Sequence, residues 1–85
     1  MGAVPPNHAS RRARVVFVDP AQQQVQKITE QETHALDRVI VAISVDPTLG
    51  IQRGQMRDYR DDVEDIRVIY YRTDLNIIVV SYFEV

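Results

Sequence analysis

The sequence predicts a single α+β domain: an N-terminal strand, a two-helix hairpin, then an antiparallel three-stranded meander, with the helices on one face of the sheet. Three observations carry this. Ile66–Thr73 and Ile77–Val85 are rich in β-branched and aromatic residues and are joined by the turn Asp74-Leu75-Asn76. Leu36, Val39, Ile40 and Ile43 recur at helical spacing. Thr29 and Glu32 have the spacing of a capping box just ahead of that stripe.

Taken in order, residues 1–13 read as a flexible basic tail, and residues 14–85 as the domain. Arg14–Val18 is a short apolar strand. Asp19-Pro20 marks a helix start, with Asp19 as the expected cap. Ala21, Val25 and Ile28 then form one narrow apolar stripe among glutamines. The second helix starts at Thr29 and stops at Asp46-Pro47, because a residue before proline is pushed out of helical geometry. Pro47–Gly54 reads as a loop, Gln55–Arg60 as the first strand of the meander, and Asp61–Asp65 as an acidic turn. In Ile66–Thr73, Ile66, Val68 and Tyr70 share one face and Arg67, Ile69 and Tyr71 the other. The last strand reads as a candidate edge, and the face carrying Ile69 and Tyr71 as an open apolar patch, unless the strand is interior or residues 1–13 fold back over that face. Both would suit a partner helix, an added strand or a second copy of the chain.

Composition narrows the chemistry. The chain has 85 residues and no cysteine, which excludes disulfides, thiolate zinc sites and thiol catalysis. No apolar run reaches the roughly 18 residues of a membrane span. No apolar signal-peptide core precedes the first strand, so the reading is cytosolic. Net charge is −2, unevenly placed: three of the ten basic residues lie within the first 14 positions, leaving seven against twelve acids, a net of −5. An acidic body is a poor generic binder of nucleic acid. His8 and His34 stand alone, the acids 61, 62, 64 and 65 lack the alternation and glycine of a calcium loop, and no glycine-rich phosphate loop is present. The expectation is no metal and no cofactor.

The arginines are the candidates for function. Arg53, Arg57 and Arg60 cluster ahead of the acidic turn, and Arg67 sits in mid-strand. An unpaired guanidinium is costly to bury, so Arg67 is expected on the open face. There it either pairs across the ladder with Asp58 or Glu84, or binds an anion, a phosphate or a partner's carboxylate. Tyr71 on the same face could stack on a base or a partner helix.

The order of elements, with Val15-Val16-Phe17-Val18-Asp19-Pro20-Ala21, Asp46-Pro47 and Ile66-Arg67-Val68-Ile69-Tyr70-Tyr71, resembles the RelE/ParE superfamily of bacterial type II toxins over residues 14–85. The resemblance implies the toxin component of a toxin–antitoxin system, an antitoxin as partner, and ribosome-dependent cleavage of mRNA as the activity of its nuclease members. It implies that Arg67 is the strand arginine that contacts the mRNA phosphate and that Arg53 and Arg57 lie where such toxins place basic residues; Arg60 and Tyr71 join them, from the residue reading alone, as nucleic-acid or partner-binding candidates. The nucleases also use a basic residue and a Tyr or His after the last strand. Here Glu84 is the last charge, so the expected site is degenerate or atypical. The alternative is a non-catalytic protein-binding module that keeps the fold.

Overall fold

The computed structural model describes residues 12–85. Its elements are β1 (Arg14–Phe17), α1 (Ala21–Val25), α2 (Glu30–Val45), β2 (Ile51–Arg53), β3 (Met56–Asp61), β4 (Ile66–Arg72) and β5 (Ile77–Glu84). They form one five-stranded sheet in the order β1-β5-β4-β3-β2. The strands β2 to β5 are an antiparallel meander, and β1 lies parallel to β5. The tail expected over residues 1–13 lies outside the described residues except for Arg12 and Ala13. Ala13 is buried and its N–H donates to the Ser44 carbonyl, while Arg12 donates to the Ser44 hydroxyl.

The long helix begins where its cap predicts. The Thr29 hydroxyl accepts from the Glu32 N–H at 3.1 Å, and the Glu32 carboxylate accepts from the Thr29 N–H at 2.8 Å, so two otherwise unpaired donors are satisfied. Leu36, Val39 and Ile43 bury their side chains against Val68, Tyr70, Ile78, Val80 and Phe83. Ile40 lies at the margin of that stripe and is only half-buried.

The start of α1 differs from expectation. Pro20, not Asp19, is the cap, and no side chain caps the backbone there. The Asp19 carboxylate instead accepts from the Gln23 side-chain amide at 3.4 Å. The helix is five residues long, yet Val25 and Ile28 still pack against the core. Gln24 has a specific task. Its amide donates to the Phe83 carbonyl at 2.6 Å and accepts from the Phe83 N–H at 3.2 Å. The pairing of β1 with β5 reaches only to Val80, and the Gln24 amide satisfies the β5 backbone beyond that point.

Two further corrections concern the sheet. The meander has four strands rather than three, because Ile51–Arg53, read as loop, is β2. It pairs with β3 through a two-residue turn, Gly54-Gln55, with Gly54 at φ +63°, the hairpin geometry that wants glycine in the first turn position. The last strand is interior rather than an edge, since β1 covers its outer side. The edges are β1 and β2, of four and three residues, short enough to discourage strand addition. The expected open apolar patch is correspondingly reduced: Val79 is buried, Ile69 half-buried and Tyr71 38% exposed.

The loop from α2 to β2 is fastened by two side chains. The Tyr70 hydroxyl lies 3.0 Å from the Pro47 carbonyl and 2.7 Å from that of Leu49. Arg57 donates to the carbonyls of Thr48 at 2.8 Å and Gly50 at 3.2 Å. Four consecutive carbonyls are thus held by β3 and β4. Burial pushes the Tyr70 hydroxyl pKa up to about 12, so it stays a neutral donor. Gly50, at φ +88°, passes so close to β3 that a Cβ would lie 2.6 Å from the Asp58 carbonyl oxygen.

The helix-on-sheet core makes a direct prediction. Ile43→Ala should cost about 2–5 kcal/mol in urea unfolding, and Ile40→Ala should cost less. A loss below about 0.5 kcal/mol at Ile43 would contradict the packing.

Candidate functional site

Alternation along β4 places Ile66, Val68 and Tyr70 in the core and sends Arg67 to the opposite, helix-free face. Strand register then decides what Arg67 meets. Arg60 is directly opposite it on β3, Asp58 is two residues along on the same face, and Glu84 is opposite it on β5. Two arginines facing each other across a ladder repel. The side chains resolve this by turning apart. Arg60 reaches Asp65 at 2.6 Å. Arg67 takes Asp58 in a two-pronged pair, Nε to Oδ1 at 2.8 Å and Nη2 to Oδ2 at 2.7 Å. Its Nη1 lies 3.4 Å from Glu84 Oε2.

The network continues at both ends. Arg53 Nε donates to Asp58 Oδ2 at 3.3 Å, and the Tyr82 hydroxyl donates to Glu84 Oε2 at 2.9 Å. Five side chains on four neighbouring strands are therefore joined in one chain, Tyr82–Glu84–Arg67–Asp58–Arg53. Asp58 is the most enclosed of its charged members, with its side chain 12% exposed against 35% for Arg67. The Arg67 guanidinium, by hydrogen bonding first and then by charge, holds the Asp58 carboxyl below the usual range, and Asp58 raises the Arg67 pKa in turn. Both are ionised at neutral pH.

The four charged members of this network floor an open concavity of about 690 Å³. Its charged lining is balanced: Arg53, Arg60 and Arg67 against Asp58, Asp62 and Glu84. No serine, threonine, histidine or lysine is among the described residues that line it. Its acids at Asp58 and Glu84 and its three arginines are already engaged with partners. Tyr59 also lines it, its hydroxyl donating to Asp61 at 3.3 Å, and the arrangement can receive a surface of mixed charge.

The candidates named from sequence thus separate. Arg53, Arg60 and Arg67 come together in the groove. Arg57 pairs with Tyr70 in register, on the helix-facing side, and fastens the loop before β2. Tyr71 is on the open face but opposite Val79, four residues along β4 from Arg67, about 13 Å at the usual rise per residue. Asp58 and Glu84, partners for Arg67, are full members of the site, and Asp62 and Tyr82 join it with no local sequence signal. Most acids of the turn are also engaged: Asp61 accepts from the N–H groups of Val63 and Glu64, Glu64 pairs with Arg38 of α2, and Asp65 with Arg60. No group of three or more metal-ligating side chains occurs among the described residues, and none of their helices is long and apolar enough to cross a membrane.

The pH dependence of the central pair has a definite sign. The Asp58 carboxyl is depressed in the fold, so its stabilisation is present above the unfolded value and lost as pH falls through the folded one. Asp58→Asn should lower the melting temperature by a steady amount between about pH 5 and 8, and the gap to wild type should close below about pH 4. A gap that widens in acid would contradict the pairing.

No protein-family model and no curated protein matches the sequence. Among solved structures, a double arginine-to-alanine mutant of the E. coli toxin RelE in the free state superposes with a TM-score of 0.69, covering 85% of this chain and 81% of that one, at 16% sequence identity. With that overlap, this chain has the RelE-like fold.

Proposed function

We propose that this chain is the toxin-type component of a toxin–antitoxin pair and that it acts by binding protein rather than by cleaving RNA. The observation that carries this is the occupancy of Arg67: Asp58 fills both prongs of its guanidinium and Glu84 approaches a third N–H. A phosphate approaching this face meets as many acids as arginines, whereas nucleic-acid binding relies on uncompensated Lys and Arg. General acid–base cleavage also needs a group positioned to exchange a proton at the scissile phosphate, and of the groove's three carboxylates Asp58 and Glu84 are engaged in ion pairs. A mixed-charge concavity with Ile51 at its rim suits a protein surface, because opposite charges can be matched one by one. The toxin fold supports an antitoxin as that partner.

Expression of the chain in a bacterial host should leave mRNA intact at ribosomes, measured by primer extension on a translated message. Co-expression with the protein encoded beside it should give a complex that melts at a higher temperature than the chain alone. Ribosome-dependent cleavage that disappears in Arg67→Ala would overturn the reading and restore Arg67 as a phosphate contact.

A further inference from the structure

We propose that Asp58 is an internal anion that closes an oxyanion-binding site formed by Arg53, Arg60 and Arg67, so that a phosphate-class oxyanion binds only when Asp58 is neutralised or displaced. The geometry is that of a ligand contact made within the chain. A carboxylate offers two coplanar oxygens, and Arg67 meets them with Nε and Nη2 at 2.8 and 2.7 Å, as it would meet two oxygens of a phosphate. Arg53 adds a third donor to the same carboxylate at 3.3 Å. Arg60 lines the same concavity, and its partner Asp65 is largely exposed, so that pair is the more easily exchanged.

Three features set Asp58 apart from an ordinary surface ion pair. Its side chain is nearly enclosed at the floor of the groove, while the groove above it is open and large enough for a phosphate or diphosphate. It is shared by two arginines from different strands, β2 and β4. It also faces away from the apolar core, where burial of Val68, Tyr70 and Phe83 stabilises the sheet independently of it. Without the Asp58 charge, three arginines would face Asp62 and Glu84, and the lining would change from neutral to net positive. Of the three acids in the lining, Asp58 is the one that two of these arginines share. The inference rests on the reading above only in that wild type keeps the groove closed to phosphate.

The test is calorimetric titration of inorganic pyrophosphate into the full chain at low ionic strength, with thermal unfolding as the check on folding. Wild type should bind weakly. Asp58→Asn, which keeps the shape and removes the charge, should bind at least about tenfold more tightly. Adding Arg67→Ala to that variant should return affinity to the wild-type level, which a merely structural role for Asp58 would not produce. Asp58→Ser carries the same expectation should the asparagine variant fold poorly. A folded variant that binds no more tightly than wild type, or a wild type that already binds as tightly, would overturn the proposal. Messenger-RNA cleavage by wild type would sink the functional reading instead, so the two failures are told apart.

Discussion

The extra residue at Ser81 sets the geometry of both the core and the groove. Along β5, Val80 pairs with Tyr70 and Tyr82 pairs with Ile69, so Ser81 is a bulge with no counterpart on β4. Before it, Ile78 and Val80 face the helices. After it, the alternation changes phase and Phe83 faces them instead. Without that shift, Phe83 would project from the helix-free face and Glu84 would be driven against the helices. With it, Phe83 fills the core and meets the edge of Phe17 at a centroid distance of 6.3 Å. Tyr82 and Glu84 pass to the open face, where Glu84 comes opposite Arg67. The Ser81 hydroxyl donates to the Ile69 carbonyl at 3.3 Å, tying the bulge to β4 at the register shift.

The charge pattern of the open face follows from that register. Arg60 and Arg67 are directly opposed and cannot both point along the ladder. Each is drawn to an acid supplied by a neighbouring element: Asp65 from the turn, Asp58 from β3, Glu84 from β5. The result is a sheet face rich in arginine but with no net positive field. In a fold shared with a toxin, this separates the presence of arginines from their availability, and only the second bears on phosphate binding. Exposed ion pairs contribute little to stability one at a time, but here a nearly enclosed carboxylate links two of them and fixes where the guanidinium groups lie.

The sequence made parts of this legible for physical reasons. The capping box, the Leu36–Ile43 stripe and the alternation of Ile66–Tyr71 each follow from local geometry acting on strongly contrasting residues. That same alternation put Arg67 on the open face and named Asp58 and Glu84 as its partners. Ile77–Val80 offered no such contrast, because four apolar residues in a row fit either face, and the bulge that breaks phase cannot be seen in them. Strand β2 was hidden because its three residues are exposed, although Gly54-Gln55 has the form of a tight hairpin turn. Nearness along the chain groups Arg57 with Arg53 and Arg60. In a strand only residues of the same parity share a face, and position 57 shares its face with Tyr59, not with Asp58 and Arg60. The partner of Gln24, the backbone of Phe83, lies 59 residues away and follows only from tertiary packing.

The central claim is that the Arg67 guanidinium is held by Asp58 rather than free to receive a ligand. Nitrogen-detected NMR of the arginine side chains measures this directly, through rotation of the guanidinium about its Nε–Cζ bond. The account predicts slow rotation and separate Nη signals for Arg67 in the wild-type chain, with both features lost in Asp58→Asn. Fast, averaged Nη signals for Arg67 in wild type, matching those of an exposed arginine, would contradict it.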